Sequence, residues 1–370
     1  MEAKTIHRLL EAGFAGGGRT VFARSVTNPL ECDAVILDEV SMVDITLMQA
    51  LINALPHGAR LVLVPHGARL VLVGDADQLP PVGPGNFLRD LITSHRVPTI
   101  QLTEIFRQAQ QSDIVMNAHA VNAGEMPRPS GADGDFFIMK RADPASVIET
   151  VAQLCAQRLP KHYGFTPAQI QVLSPAKRHG SGTIPLNRRL QEALNPPSES
   201  KLEKRFGDTI FREGDRVMQV RNNYDIVWEK QGDDEQGTGV FNGDVGEIIR
   251  IFPQQECMVI RFDDRIATYT FDMLNIATYT FDMLNELELA YAVTVHKSQG
   301  SEFDAVVLAL SDGLPRKLLT RNILYTAITR AKRLLVIVGS QDVVAYMVNN
   351  NQKGRRYSAL KARLRLAETQ

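Results

Sequence analysis

Cysteine is scarce in this chain of 370 residues: Cys32, Cys155 and Cys257 are the only three, widely separated and with no CxxC pair. That excludes a disulfide framework and a zinc module, and it makes a reducing, cytoplasmic setting the expectation. Long apolar runs are also missing, since no stretch approaches the roughly 20 residues that a membrane helix needs. The first residues, MEAKTIHRLLEAG, carry too much charge for a secretory signal. Nor is there an excess of positive charge. With 41 Lys+Arg against 42 Asp+Glu, the net charge of −1 gives no global field for nucleic acid. Any DNA track has to come from local clusters of Lys and Arg. The remaining composition, 44% hydrophobic and 22% charged, is that of compact domains, and the length allows two or three.

A phosphate-cradling loop is absent as well. Such a loop needs a strand, then GxxxxGK[ST], then a helix. GFAGGGRT, from Gly13 to Thr20, has the spacing but carries Arg19 in place of lysine and follows the helix-like TIHRLLE. It also stands 18 residues before Asp38, too few for the helix and strands that normally intervene. It reads as a decoy. Repeat architecture is absent too. PHGARLVLV occupies 56–64 and again 65–73, and IATYTFDMLN occupies 266–275 and again 276–285, but two unrelated doublets do not build a solenoid. Both copies of the first doublet contain RLVLV, yet only 69–73 runs directly into Gly74 and Asp75. The sheet position is therefore expected for 69–73, with 60–64 displaced.

What is present is an alternation of helical and strand-like segments. The pattern predicts a helix over 4–11, a loop to about 31, a buried strand over 34–37 and a helix over 44–55. A strand over 69–73, a Pro/Gly loop to 85, a helix over 86–93 and helical segments over 103–123 follow. GEMPRPSGADGD, 124–135, reads as a linker. A second layer starts with a helix over 144–157, a strand over 169–173 and a helix over 185–194. From about 206 to 290 short alternating strands take over, and AYAVTV, VVLAL and LLVIVG then resume the α/β pattern.

Several segments carry chemistry. AVILDEVSM, 34–42, ends an apolar strand in two carboxylates, where open α/β sheets place their ligands. Asp38 there can hold a magnesium ion and Glu39 can orient or deprotonate a water. DE alone suits a surface acidic pair equally well; the SMVD that follows and the spacing to LVLVGDADQLPPVGPG, 70–85, favour the functional reading. VTVHKSQGSEF offers Thr294, His296, Lys297 and Ser298 as donors to phosphates of a single strand, with Gly300 allowing close backbone approach. LSPAKRHGSG delivers Lys177 and Arg178 to a glycine-bearing loop. Arg188 and Arg189 suit DNA or a solvated helix face equally, and Tyr224 and Trp228 suit base stacking or core packing. The six positive residues between Lys353 and Arg365 suit DNA or a partner helix, but read most simply as a solvated terminal helix.

YAVTVHKSQGSEFD at 291–304 with LYTAITRAKR at 324–333 resembles the last two motifs of superfamily 1 helicases, and its wording is similar to the RecD-like branch. The resemblance implies an α/β fold of two RecA-like parallel-sheet lobes, the first truncated, with a small SH3-like β-barrel inserted in the second. The expected domains are 1–125, 126–205, 206–290 (the barrel), 291–350 and a basic tail, 351–370. It implies ATP and Mg2+ as cofactors, with Asp38 on the metal and Gln78 on the terminal phosphate. Arg107 in LTEIFRQ and Arg330 in YTAITRA would be the phosphate-sensing arginines, Glu302 would accept from the ribose, and Gly300 belongs to the same nucleotide set. Single-stranded DNA, with duplex ends or forks, is the implied partner, and no membrane is.

The resulting expectation is an ATP-dependent DNA helicase moving 5′ to 3′, of which this chain is a carboxy-terminal portion, inactive alone because the loop that cradles the β-phosphate is missing. Two alternatives stay open: a non-catalytic DNA-binding or regulatory subunit derived from a helicase, and the helicase part of a conjugative relaxase.

Overall fold

Apolar residues at alternate positions of AVIL and RLVL zip two short parallel strands together. In the computed structural model, which describes residues 3–15, 19–56, 69–102, 111–230, 236–263, 265–270, 283–351 and 358–366, these strands anchor one of two compact units. The first unit comprises 1–107 with 352–370, the second 108–351.

In the first unit a four-residue helix α1 (Ile6–Leu9) precedes an antiparallel hairpin, β1 (Ala12–Ala15) with β2 (Arg19–Phe22). The expected helix over 4–11 is thus shorter, and the expected loop to 31 contains a hairpin. β3 (Ala34–Leu37) leads to α2 (Ile45–Ala54), capped by Asp44, whose carboxylate accepts the Leu47 amide at 2.8 Å. β4 (Arg69–Leu72) pairs with β3 in parallel, Leu37 opposite Leu72. The copy at 69–73 therefore does supply the strand, whereas the copy at 60–64 lies outside the described residues. α3 (Phe87–Ser94) closes a core of Leu37, Val40, Met48, Leu51, Leu88 and Leu91. The other face of the pair stays open, with Ile36 58% and Val71 47% exposed, so this strand is half-buried and not the fully buried one expected.

The C-terminal helix Leu360–Leu366 is not solvated all round as expected. Leu360 and Leu364 pack on the first unit's core, and Arg365 reaches the Thr93 carbonyl at 3.1 Å. An amphipathic stripe within the basic tail accounts for this.

The second unit begins with α4 (Asp113–Ala123), which packs on the later helix Arg321–Ile328 of the same unit. β5 (Phe136–Lys140), α5 (Pro144–Gln153) with a π-helical turn into α6 (Leu159–Tyr163), β6 (Ile170–Ser174) and α7 (Thr183–Leu194) follow. After the insert come β16 (Ala292–Thr294), β17 (Phe303–Leu310), α8 (Arg321–Ile328), β18 (Ala331–Gly339) and α9 (Gln341–Asn349). The sheet is wholly parallel in the order β16-β6-β17-β18-β5, and Val307 at its centre pairs with Val172 and Val336. Such a sheet is covered on both faces, which is why VVLAL and LLVIVG are continuously apolar.

The insert supplies β7 (Glu203–Phe206), β8 (Thr209–Arg212), β9 (Arg216–Gln219), β10 (Asn223–Lys230), β11 (Gln236–Val240), β12 (Val245–Phe252), β13 (Cys257–Phe262), β14 (Arg265–Thr270) and β15 (Leu287–Leu289). β7 and β8 form a hairpin, and the other seven strands form one curled antiparallel sheet around Ile226, Ile248, Ile260 and Phe262. A buried hub joins insert to sheet. Asp215 accepts from Gln191 at 2.5 Å, Asn195 at 2.7 Å, the Arg212 amide at 2.7 Å and the Tyr291 hydroxyl at 2.9 Å. Two α/β units with a β insert in the second is the architecture the motifs implied. Among the described residues no helix is long and apolar enough to cross a membrane.

Candidate nucleotide and nucleic-acid sites

In the first unit the chain turns sharply after β3. Asp38 is exposed and its carboxylate accepts the Glu39 amide at 2.8 Å. Glu39 takes a left-handed backbone conformation, φ 52°, costly for a residue with a Cβ and often found where function requires it. The turn is held by the neighbouring strand, since the Val40 amide donates to the Val73 carbonyl at 3.0 Å. Asp75 accepts the Asp77 amide at 2.8 Å, so GDADQ forms its own turn and carries a half-buried Gln78. Both turns leave the carboxyl ends of paired parallel strands, so Asp38, Glu39 and Gln78 sit where such sheets bind ligands.

Magnesium commonly uses one or two protein carboxylates plus substrate phosphates. Asp38, exposed and with one intramolecular donor, fits that requirement. A phosphate cradle does not fit: Gly13 and Phe14 lie on β1 and Arg19 and Thr20 on β2, and among the described residues β2 is followed by no helix before β3. Arg107 lies outside the described residues.

In the second unit the turn after β16 begins beside β6, Thr294 opposite Ser174. Thr294 is half-buried, and its carbonyl accepts the amides of Lys297 (2.8 Å) and Ser298 (3.1 Å). The Ser298 hydroxyl is committed to the Val295 carbonyl at 2.9 Å and the residue is buried, so it builds the turn. His296 is half-buried in the same turn. Lys297 donates to Asn242 of the insert, and burial, ahead of repulsion from Lys177, lowers its pKa. Gly300 has φ 76°, which a side chain would strain.

Lys177 and Arg178 project from the loop after β6 and are exposed. Lys177 pairs with Glu288 at 2.7 Å. A Cβ on Gly182 would lie 2.6 Å from the Lys177 carbonyl, so the loop doubles back on itself only with glycine there. Lys177, Thr294, Lys297 and Glu288 line one small cleft. The structure thus brings together three residues chosen from sequence.

Arg330 is buried at the end of α8, and its guanidinium donates to the carbonyls of Ser301 (3.1 Å) and Thr326 (3.3 Å) and to the Thr329 hydroxyl (3.2 Å). It therefore ties ITRA to the QGSEF turn within one unit. Glu302 is exposed and pairs with Lys332 at 3.2 Å. Arg189 binds Glu149 at 2.8 Å and bridges α7 to α5, and Trp228 is clamped between Gly237 and the Arg265 guanidinium, so neither is free for DNA. Tyr224 stacks edge-on against Phe241.

Sequence reasoning missed Glu288 and Asn242. Glu288 was readable only as one of the alternating acids in ELEL, and Asn242 as part of an ordinary NG turn. Nothing in either pattern names its lysine partner.

Residues 1–133 match an AAA domain model, 186–262 the ATP-dependent RecD-like DNA helicase SH3 domain, and 289–338 the UvrD-like helicase C-terminal domain. The chain is 34% identical over 365 residues to the ATP-dependent RecD2 DNA helicase of Deinococcus radiodurans, covering 98% of this chain and 43% of that protein. It is 31% identical over 383 residues to the RecBCD enzyme subunit RecD of Mycobacterium tuberculosis, covering 98% and 58%. The chain thus spans about half the length of these curated relatives. In fold it is similar to a Pif1 helicase from Bacteroides, solved with ADP-AlF3 and ssDNA, at TM-score 0.50 and 18% identity over 99% of this chain and 83% of that one. Near-complete alignment to two RecD proteins, with the RecD-like SH3 domain matched at 186–262, makes this chain a member of the RecD-like helicases.

Proposed function

We propose that this chain is the strand-gripping portion of an ATP-driven DNA motor that moves 5′ to 3′ along single-stranded DNA at duplex ends or forks. One observation carries the reading: Lys177, Thr294 and Lys297 line a single cleft, and the turn that bears two of them is held by Arg330 through Ser301. Lysines at such a cleft suit phosphates, while half-buried Thr294 and the glycine backbone suit close approach of a strand. Grip and nucleotide response are then joined by the Arg330 hydrogen bonds, with Arg107 as a second phosphate-sensing arginine.

In this reading Asp38 holds the magnesium ion, which would neutralise phosphate charge when nucleotide is bound. Glu39 orients the attacking water, Gln78 senses the terminal phosphate, and Gly300 and Glu302 border the nucleotide. The missing cradle implies little ATP turnover by these residues alone. The open face at Ile36 and Val71 supports completion of the first sheet by further elements, because parallel sheets of this kind are covered on both faces.

Anisotropy titration of a labelled oligo-dT with the purified chain, paired with an ATPase assay in Mg2+, tests both parts. Salt-sensitive binding that Lys297→Ala weakens, with negligible hydrolysis, is expected. Absence of binding rejects the strand-gripping reading, and DNA-stimulated turnover rejects the inactivity.

A further inference from the structure

Two lysines and one carboxylate line the candidate cleft. The Lys177 ammonium lies 2.7 and 3.0 Å from the two carboxylate oxygens of Glu288. Lys297 lines the same cleft and feels the Glu288 charge, while its own ammonium bonds the neutral amide of Asn242. The three charged residues arrive from different elements: the loop after β6, the strand β15 that returns from the insert, and the turn after β16. β15 is fixed by its pairing with β9, Glu288 opposite Met218, so the backbone of Glu288 is rigid while its side chain, about half exposed, can swing into solvent.

A carboxylate paired with one ammonium group, with a second lysine lining the same cleft, has the charge and donor demand of a phosphodiester oxygen pair. We infer that Glu288 is a built-in stand-in for DNA phosphate: it pairs with Lys177 beside Lys297 when no strand is bound, and a backbone phosphate replaces it on binding. The inference rests on the strand-gripping reading above and adds to it a residue that sets affinity and its salt dependence. An exposed ion pair is weak, so the exchange is cheap and Lys177 is not locked. Freed Glu288 takes up a cation from solvent, partly cancelling the counterion that the strand releases. Wild-type binding is therefore less salt-dependent than its lysine count implies.

The test is oligo-dT anisotropy across a salt series with wild type, Glu288→Gln, Lys297→Ala, Lys177→Gln and the Glu288→Gln/Lys177→Gln double variant, with thermal melts of each. Glu288→Gln should tighten binding by about two- to fivefold at low salt. It should also steepen the slope of log K against log[salt] by up to about 0.7. The gain should vanish in the double variant. If wild type fails to bind, or the lysine variants bind as wild type does, the strand-gripping reading fails and takes this inference with it. If the lysine variants weaken binding but Glu288→Gln changes neither affinity nor slope, or weakens binding, then Glu288 only positions Lys177 and the stand-in role is overturned.

Discussion

The Tyr291 hydroxyl donates to the Asp215 carboxylate over 2.9 Å in a site where both residues are buried, and this contact joins the insert to the strand that leads into the VHKSQG turn. Burial raises the Tyr291 pKa, and the Asp215 charge raises it further, so the phenol stays a donor. Burial also raises the Asp215 pKa against four hydrogen bonds that pull it down. Removing one donor from this group should cost about 1.5–3 kcal/mol, the range for hydrogen bonds to charged partners. Tyr291→Phe is therefore expected to shift the denaturant midpoint of the second unit downward. Trp228, the single tryptophan, lies in the insert and reports the transition by fluorescence.

Lys297 should give strand binding an early alkaline limb. Its pKa is lowered, first by burial, so the folded protein releases this proton before an ordinary lysine would. In stability the sign is that of a buried base: the folded state binds fewer protons than the unfolded chain. Folding is thus favoured as pH rises through the lowered pKa toward about 10.4. In binding the sign is opposite, because the neutral amine no longer attracts phosphate. Oligo-dT affinity measured from pH 7 to 10 should fall at lower pH than solvent-exposed lysines predict. Lys297→Arg, which stays charged throughout, should flatten the profile.

The sheets were legible because their strands are short apolar runs at fixed intervals, and β3, β4, β6, β17 and β18 fall where the pattern put them. Asp38, Glu39, Thr294 and Lys297 were legible because motif spacing binds them to strand ends. Burial and pairing were not. That Ser298 turns inward, that Arg189 spends its fork on Glu149, and that Leu360 and Leu364 dock the tail all depend on neighbours over 35 residues away or on one hydroxyl rotamer. The pairing of β1 with β2 escaped because TIHRLLE gives a strong helical period that a single turn already satisfies, and GFAGGGRT has no alternation to mark strands.

Arg330 is expected to resist replacement by lysine. Its fork reaches Ser301, Thr326 and Thr329 at once, and one ammonium on a flexible stem cannot reproduce three directions. Arg330→Lys should keep the fold but loosen the 298–303 turn, at a cost of about 0.5–1.5 kcal/mol for each hydrogen bond lost. Hydrogen exchange checks this directly: the Phe303 amide, bonded to the Arg330 carbonyl at 2.8 Å, should lose protection, whereas Val307 in the sheet centre should not.

The tandem doublets should be dispensable one copy at a time. β14 uses 266–270 from the first IATYTFDMLN, and the helical turn at Met283–Glu286 uses the end of the second. Excising 271–280 rejoins IATYT to FDMLN and regenerates one copy with every described contact of the insert in place. In the same way, removing 57–65 leaves Pro56 followed by HGARLVLV, so that Arg69–Leu72 still feeds Gly74. Loop closure depends only weakly on length, about 0.6 kcal/mol per doubling, so each excision should leave the melting temperature equal or slightly higher. Calorimetry of the two excised chains checks this. A marked drop after the 57–65 deletion would mean that residues of the upstream copy, and not only β4, support the first unit's core.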